Sequence, residues 1–369
     1  MERVGRITIG SVCDVKTGKL DANASNENGT YPFFTCSKEP LRINTFSYDA
    51  ECVLIAGNGD LNVKYYNGKF DAYQRTYIIT LKTGITNISV RYLFAFFSLY
   101  VETLRRKSIG GVIKYIKLGD ITEAKIPIPP LQEQERIVAE LELLTGIIDK
   151  QKQQLKELDT LAQSIFYDMF GNPVENDKGW EKKQIGTICA SKKQIQRASK
   201  RFKDSDIIRY IDISSIDNIN NVMTSTTSYG FGDAPSRAQQ VVEIGDVLIS
   251  LVRPNLNNVA MVSEDGTDLV ASSGFCVLRA NCEIVKEFLF YSVKMKCFID
   301  YLMQRVSGAN YPAVREDDIT GYNIILPPIE LQESFAKKIQ SIESQKQSIN
   351  RSIAESQKLF DYTMDKYFG

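Results

Sequence analysis

Nine basic side chains fall between Lys182 and Arg209 (Lys182, Lys183, Lys192, Lys193, Arg197, Lys200, Arg201, Lys203 and Arg209), against two acidic ones, Asp204 and Asp206. Lysine and arginine at that density suit the holding of a polyanion by its phosphates, although a lone basic run is ordinarily a solvated face. A second run, Arg105, Arg106, Lys107, Lys114 and Lys117, brackets Gly110-Gly111. Close to both runs, Gly- and Asn-rich stretches carry polar or planar side chains. These are Asn58, Asp60, Gln74 and Arg75 in the first half, and Ser214, Ser215, Arg253, Asn255, Asn257, Asn310, Tyr311 and Arg315 in the second. Each is equally suited to forming a turn or capping a helix.

Other chemistries are poorly supplied. The chain has no histidine, which removes Ser-His and Cys-His nucleophile pairs, imidazole acid-base catalysis and histidine metal sites. An enzyme would have to run on carboxylates, lysine or tyrosine. Gly57-Asn58-Gly59 lacks the third glycine of a dinucleotide loop, and Gly68-Lys69-Phe70 lacks both the upstream glycine and the hydroxyl residue of a phosphate loop. Two Pro-Pro pairs are flanked by Ile, Leu or both, so neither is the Asn/Asp-Pro-Pro-aromatic motif that holds a flipped base, and both read as helix starts. Seven scattered cysteines, none in C-x-x-C spacing, argue against a disulfide framework or thiolate metal cluster. No catalytic, cofactor or metal site is expected in this chain.

The candidate residues sit on a repeated plan. Residues 110–171 align without a gap on residues 308–369 at an offset of 198, with 13 identities over the 62 positions. Among them are Asp120/Asp318, Thr122/Thr320, Pro129/Pro327, Pro130/Pro328, Gln134/Gln332 and Gly171/Gly369. The openings of the two halves also rhyme, Ile9–Cys13 with Ile185–Cys189. Both repeat segments read as helices. Ile137, Leu141, Leu144, Ile148, Leu155, Leu158, Ala162, Ile165 and Met169 follow a four-three spacing, with Gln151 the only polar residue on that seam. The second seam is Phe335, Ile339, Ile342, Ile349, Ile353, Phe360 and Tyr367, interrupted by Lys346, Ser356 and Thr363. A seam so interrupted is a weak self-associating coil, so its expected partner is the stronger seam in the same chain. Two helices each packed on its own domain is the alternative.

Before each long helix lie short β-branched and aromatic runs separated by Gly, Asn and Asp, each set followed by a helical stretch, Tyr92–Lys107 and Lys286–Gln304. The fold expected is α+β: two globular domains alternating with two long helices that pair as an antiparallel coiled coil, with a pseudo-twofold internal repeat. The boundaries read as 1–127 for the first domain, 128–171 for the first helix, 172–325 for the second domain and 326–369 for the second helix. The balance of 45 basic and 45 acidic residues hides a segregation. Residues 1–130 carry 17 basic and 12 acidic side chains, and the first helix, 131–170, carries 4 and 8. At 369 residues, two domains plus connecting helices are expected. No apolar run is long enough to cross a bilayer and no secretory leader is legible, which makes the cytoplasm the default compartment.

Ile126-Pro-Ile-Pro-Pro-Leu-Gln-Glu-Gln-Glu-Arg-Ile-Val138 is similar to the most recognisable string of the specificity subunits of type I restriction-modification systems. Leu54–Ile79 resembles a common recognition-domain core of that family, and Arg209–Asp217 and Ser307–Val314 resemble its second-domain elements. The second helix departs from the pattern, with PPIELQESF in place of PPLxEQxRI. The resemblance covers the whole chain. It implies a non-catalytic DNA reader whose domains are target-recognition domains, each reading one half of a bipartite, asymmetric site in double-stranded DNA through hydrogen bonds from the polar loop side chains named above to base edges, with the paired helices as a stiff spacer. It also implies two modification (methyltransferase) subunits as partners, with restriction (motor-nuclease) subunits joining them. S-adenosylmethionine, ATP and Mg would belong to those partners and not to this chain, and no membrane is involved. The alternatives are a specificity chain serving a fused methylase-nuclease, or a coiled-coil scaffold that binds only proteins.

Overall fold

A computed structural model describes residues 5–190, 194–307 and 312–369. The chain forms two compact units, one of residues 1–154 with 349–369, the other of residues 155–348. Each unit therefore contains one end of each of two 40-residue helices, the middle helix Leu131–Phe170 and the C-terminal helix Ile329–Phe368.

The first unit is built on a six-stranded sheet in the order Cys13–Thr17, Thr76–Leu81, Tyr48–Ala56, Val63–Ala72, Tyr31–Phe34, Leu41–Ile43. Its central hairpin pairs Tyr48↔Phe70 through Ile55↔Val63. Valine, isoleucine, tyrosine and phenylalanine dominate these strands, as a half-buried pleated surface requires. On one face, Val53, Ile55 and Ile79 meet Tyr92, Leu93, Phe96 and Phe97 of the helix Val90–Lys107. Ile137, Val138 and Leu141 from the start of the middle helix close this core together with Met364 and Phe368 of the C-terminal helix. Within the unit, Arg136 Nη2 donates to Tyr367 Oη at 2.8 Å and Gln151 Nε2 to Ser352 Oγ at 2.7 Å. Rising numbers on one helix meet falling numbers on the other, so the pairing is antiparallel.

The second unit has a four-stranded mixed sheet (Thr227–Gly230, Ile207–Ile211, Leu269–Ser272, Ala238–Val241), a three-stranded antiparallel one (Val259–Met261, Val247–Ser250, Phe275–Leu278) and two two-stranded pairs, Glu181–Gln184 with Asn323–Leu326 and Ile216–Asp217 with Val222–Met223. The expected single helix over 286–304 is two, Lys286–Val293 and Lys296–Met303, because Met295 adopts extended backbone between them (ψ 148°). Phe166 stacks on Phe288 at 5.5 Å, and Phe170 meets Phe335 edge-on at 5.2 Å. The antiparallel pairing continues here, with Lys346 Nζ 2.9 Å from Asp159 Oδ1.

Ile137, Leu141, Leu144, Ile148, Phe335, Ile339 and Ile342 of the expected seam are buried, and Leu155, Leu158, Ile165, Ile349, Ile353 and Phe360 are half-buried. At the helix ends the apolar rows leave the four-three spacing. Ala162 of the seam is buried, but beyond it the buried row shifts, in steps of four, to Phe166 and Phe170, whereas the seam residues Ile165 and Met169 are only half-buried. That is the spacing of a straight helix docking on a domain core rather than of a supercoiled seam.

The repeat holds at the level of single atoms. The Gln134 amide donates to Asn87 O and Pro129 O and accepts from the Ser89 amide. Gln332 repeats the pattern with Glu283 O, Pro327 O and the Val285 amide. The short helices Leu118–Thr122 and Glu316–Thr320 are capped alike, the Lys117 and Arg315 amides each donating at 2.8 Å to the Asp three residues on.

Candidate nucleic-acid interface

The first candidate surface is made by three loops of the first unit. Strand Tyr48–Ala56 runs into Gly57–Asp60, strand Val63–Ala72 ends at the Tyr73–Arg75 turn, and helix Val90–Lys107 is followed by the loop 108–117. Backbone hydrogen bonds fasten them together. The Ile109 and Tyr115 amides each donate to the other's carbonyl at 3.0 and 2.8 Å, the Gly59 amide donates to Lys114 O at 2.9 Å, the Ile116 amide to Gly57 O at 3.0 Å, and the Gly57 amide to Arg75 O at 2.8 Å. Gly57 must be glycine, because a Cβ there would lie 2.4 Å from Arg75 O. Gly110, at φ +118°, is held to glycine by conformation and by Ile113 O at 2.5 Å.

This arrangement gathers Gln74, Arg75 and Lys117 along one open groove of ≈ 500 Å³, and Arg105, Arg106 and Lys114 along another of ≈ 480 Å³. Arg75, Arg105, Arg106, Lys107 and Lys114 are all exposed. Arg105 is turned inward electrically, pairing with Glu102 and with Asp60 at 3.4 Å and donating to Leu61 O. Asp60 is thereby engaged within the unit. Arg75, Lys114 and Lys117 form no ion pair among the described residues. Asn58 is half-buried and bridged by backbone to Tyr115.

The second unit closes a loop set in the same way. The Arg253 amide donates to Pro312 O at 2.7 Å, the Val314 amide to Leu251 O at 2.9 Å, and Ser307 and Ala313 exchange both bonds at 2.9 and 3.0 Å. These are the Gly59, Ile116 and Ile109–Tyr115 bonds of the first unit, displaced by 198 on the later loop and 194 on the earlier one. Arg253 and Asn257 take left-handed backbone (φ 50° and 51°) around the turn Pro254–Leu256. Arg253, Asn255 and Arg315 are exposed there. Asn257 is more committed, with its carbonyl accepting from Asn221 Nδ2 at 2.8 Å and its own Oδ1 buried without a hydrogen-bond partner.

Ser214 and Ser215 lie in a turn organised by Asp212, whose Oδ1 accepts from the Ser214 amide at 2.9 Å, while Ser215 is buried. Of the basic run, Arg197, Lys200 and Arg201 are exposed around the turn Ala198–Lys200. Arg209 and Lys183 are spent inside the unit. Arg209 forks onto both oxygens of Asp268 and reaches Glu264, and Lys183 meets Glu283 at 2.6 Å. The Arg209 guanidinium holds the Asp268 carboxyl below the ordinary aspartate value. Lys192, Lys193, Asn310 and Tyr311 lie outside the described residues.

No group of three or more His, Cys, Asp or Glu side chains arranged to hold a metal occurs among the described residues, nor does a helix long and apolar enough to cross a membrane. Burial pushes the Cys13, Cys52 and Cys189 thiols up to about 12, so they remain protonated packing groups. Sequence reasoning missed Gln134 and Gln332 as the pins between helix and domain, although their identity across the repeat marked them. It also missed the fastening of the 108–117 loop, whose Lys114 and Ile116 backbone groups pair with Gly59 and Gly57 in the loop after strand Tyr48–Ala56.

A family profile described as Type I restriction modification DNA specificity domain matches residues 1–160 and 177–356. The type I restriction enzyme EcoDI specificity subunit of Escherichia coli is 24% identical over 98% of this chain and 87% of its own length. The MjaVIII specificity subunit of Methanocaldococcus jannaschii is 24% identical over 69% of this chain and 63% of its own. Among solved structures, a type I restriction-modification S subunit from M. genitalium superposes with a TM-score of 0.61 at 15% identity, covering 100% of this chain and 97% of that one. A chain from a study of complex assembly and conformational transition in a type I system gives 0.51 at 20% identity, covering 99% and 97%. The doubled plan of domain and long helix, the loop closures repeated within it and the profile match across both halves place this chain in the type I restriction-modification DNA specificity family.

Proposed function

We propose that this chain reads an asymmetric, interrupted sequence in double-stranded DNA, one half with each globular domain, and carries no catalysis of its own. The observation that carries the proposal is the doubled loop closure. The backbone hydrogen bonds are the same in both units, yet the side chains they present differ: Asn58 stands where the second unit has Val252, Gly59 where it has Arg253, Ile109 where it has Ser307. A shared scaffold with different surface chemistry is what two readers of different half-sites need. The exposed basic side chains beside each loop set would hold phosphates and fix register, leaving the loop side chains to the base edges.

On this reading the chain docks two modification subunits, which bring S-adenosylmethionine and methylate adenine, and motor-nuclease subunits with ATP and Mg join to restrict unmodified DNA. All would work in the cytoplasm. The test is to replace residues 172–325 with the equivalent domain of a relative, express the chimera with its modification subunits and map methylated motifs across the host genome. One half of the motif should change and the other stay. A change in both halves, or methyl transfer from labelled S-adenosylmethionine by this chain alone, overturns the proposal.

A further inference from the structure

The loop after helix Val90–Lys107 exposes what a folded chain ordinarily hides. Val112 is fully exposed at 103% and Ile113 is 62% exposed, with Ile109 and Tyr115 on the same loop and Leu118, the first residue of the helix after it, each at 40% or more. Single exposed apolar side chains are unremarkable, but consecutive β-branched ones at a loop tip are a liability unless something covers them. The tip is also held out by design of the backbone. Both hydrogen bonds between Ile109 and Tyr115 close the loop at its base, Gly59 grips it through Lys114 O, and Gly110 makes the turn that only glycine allows.

The surroundings say what kind of partner fits. Arg106, Lys107, Lys114 and Lys117 lie on and beside the loop, all exposed, and none forms an ion pair among the described residues. An apolar tip flanked on both sides in the chain by exposed cations without ion pairs matches a polyanion with an apolar interior, which describes duplex DNA: phosphates outside, stacked bases within. A protein partner would more often meet a charge-poor apolar patch.

Building on the DNA-reading role proposed above, we infer that Val112 and Ile113 form an apolar wedge that enters a DNA groove and presses on a base-pair step within the first domain's half-site, while the surrounding lysines and arginines hold the flanking phosphates. Side chains of this kind partly unstack the step they meet. They thereby read its deformability, so the wedge would favour flexible pyrimidine–purine steps without hydrogen-bonding a base.

The full chain, assembled with its modification subunits, is titrated onto duplexes carrying its methylated motif with 2-aminopurine placed at successive half-site positions. Binding should raise fluorescence at one step of the first domain's half-site. The double variant V112S/I113S should abolish that rise and weaken specific binding by about tenfold or more, with the salt dependence unchanged because no phosphate contact is lost. V112I/I113L should restore both. Lys114→Gln with Lys117→Gln should instead flatten the salt slope by close to 2 while the fluorescence rise survives in the bound complex. No unstacking at any position with the unaltered complex bound, unchanged binding by the serine variant, or loss of the modification subunits from that variant on size exclusion would each overturn the wedge. The last would assign the tip to a protein contact. If the unaltered complex shows no sequence-specific DNA binding at all, the DNA-reading proposal itself fails.

Discussion

The Lys346 ammonium lies 2.9 Å from Oδ1 of Asp159 on the opposing helix and 3.1 Å from Glu343 Oε1 on its own. Burial works against its charge, yet the two carboxylates outweigh that and hold its pKa above the ordinary lysine value. A buried charge in a helix seam stabilises little relative to an apolar residue, but it penalises pairings that leave it alone. Asp159→Ala should therefore destabilise the second unit by about 1–2 kcal/mol, discounted for the partial exposure of Asp159, whereas Lys346→Met should cost less than about 1 kcal/mol. Urea unfolding of both variants checks the asymmetry. A larger loss from Lys346→Met would show that the pair is a source of stability rather than of register.

Gln134 and Gln332 are completely buried and each satisfies three backbone groups. Replacing either with alanine strands those groups without water, so each variant should lose about 2–3 kcal/mol. Hydrogen exchange should localise the damage of Gln134→Ala to the first unit and that of Gln332→Ala to the second, with glutamate no better than alanine because it cannot donate to the two carbonyls.

The Arg209–Asp268 fork predicts an acid-labile contribution to the second unit. Asp268 is depressed below its ordinary value, first by its hydrogen bond from Arg209. The folded state thus binds its proton more weakly than the unfolded chain. The stabilisation is fully present above the ordinary aspartate value near 3.9 and is lost as pH falls through the depressed folded value. Partly exposed as the pair is, the term should be about 1 kcal/mol or less. The difference in unfolding free energy between the native chain and Asp268→Asn should be constant above about pH 5 and shrink below pH 4.

Lys200 and Arg201 stand exposed at the turn Ala198–Lys200. If they contact phosphates, Lys200→Gln with Arg201→Gln should weaken binding to all duplexes about equally and reduce the slope of log K against log salt by roughly 1–2. Filter binding at several salt concentrations measures this. A changed methylated motif with an unchanged slope would make them base readers instead.

Much of this was legible in the residues because it is local. Pro-Pro at one end and Phe-Gly at the other bounded both long helices, and the four-three spacing from Ile137 to Ile148 marked the seam. Phe166 and Phe170 were not assigned to it, since their burial depends on Phe288 and Phe335, which arrive from elsewhere in the second unit. The break at Met295 was likewise invisible in a run from Lys286 to Gln304 that contains neither glycine nor proline. At the candidate interface, residue types pointed to loops, but not to their state. Asp60 and Arg105 satisfy each other, Ser215 is buried in its own turn, and the basic run from Arg105 to Lys117 gave no sign that Val112 and Ile113 stand in solvent.

Met364 and Phe368 fill the core of the first unit beside Ile137 and Tyr92, so residues 349–369 complete a domain that began at the other end of the sequence. Vectorial synthesis then works in an unusual order. The ribosome must make the entire second unit before the first receives its final segment, so the domain translated first is the later to close. A premature stop shortly before residue 360 would spare the second domain's sheets and cripple the first. Until that segment arrives, the apolar face around Tyr92 and Phe96 stays open, and the nascent first domain is the part of this protein most in need of a chaperone.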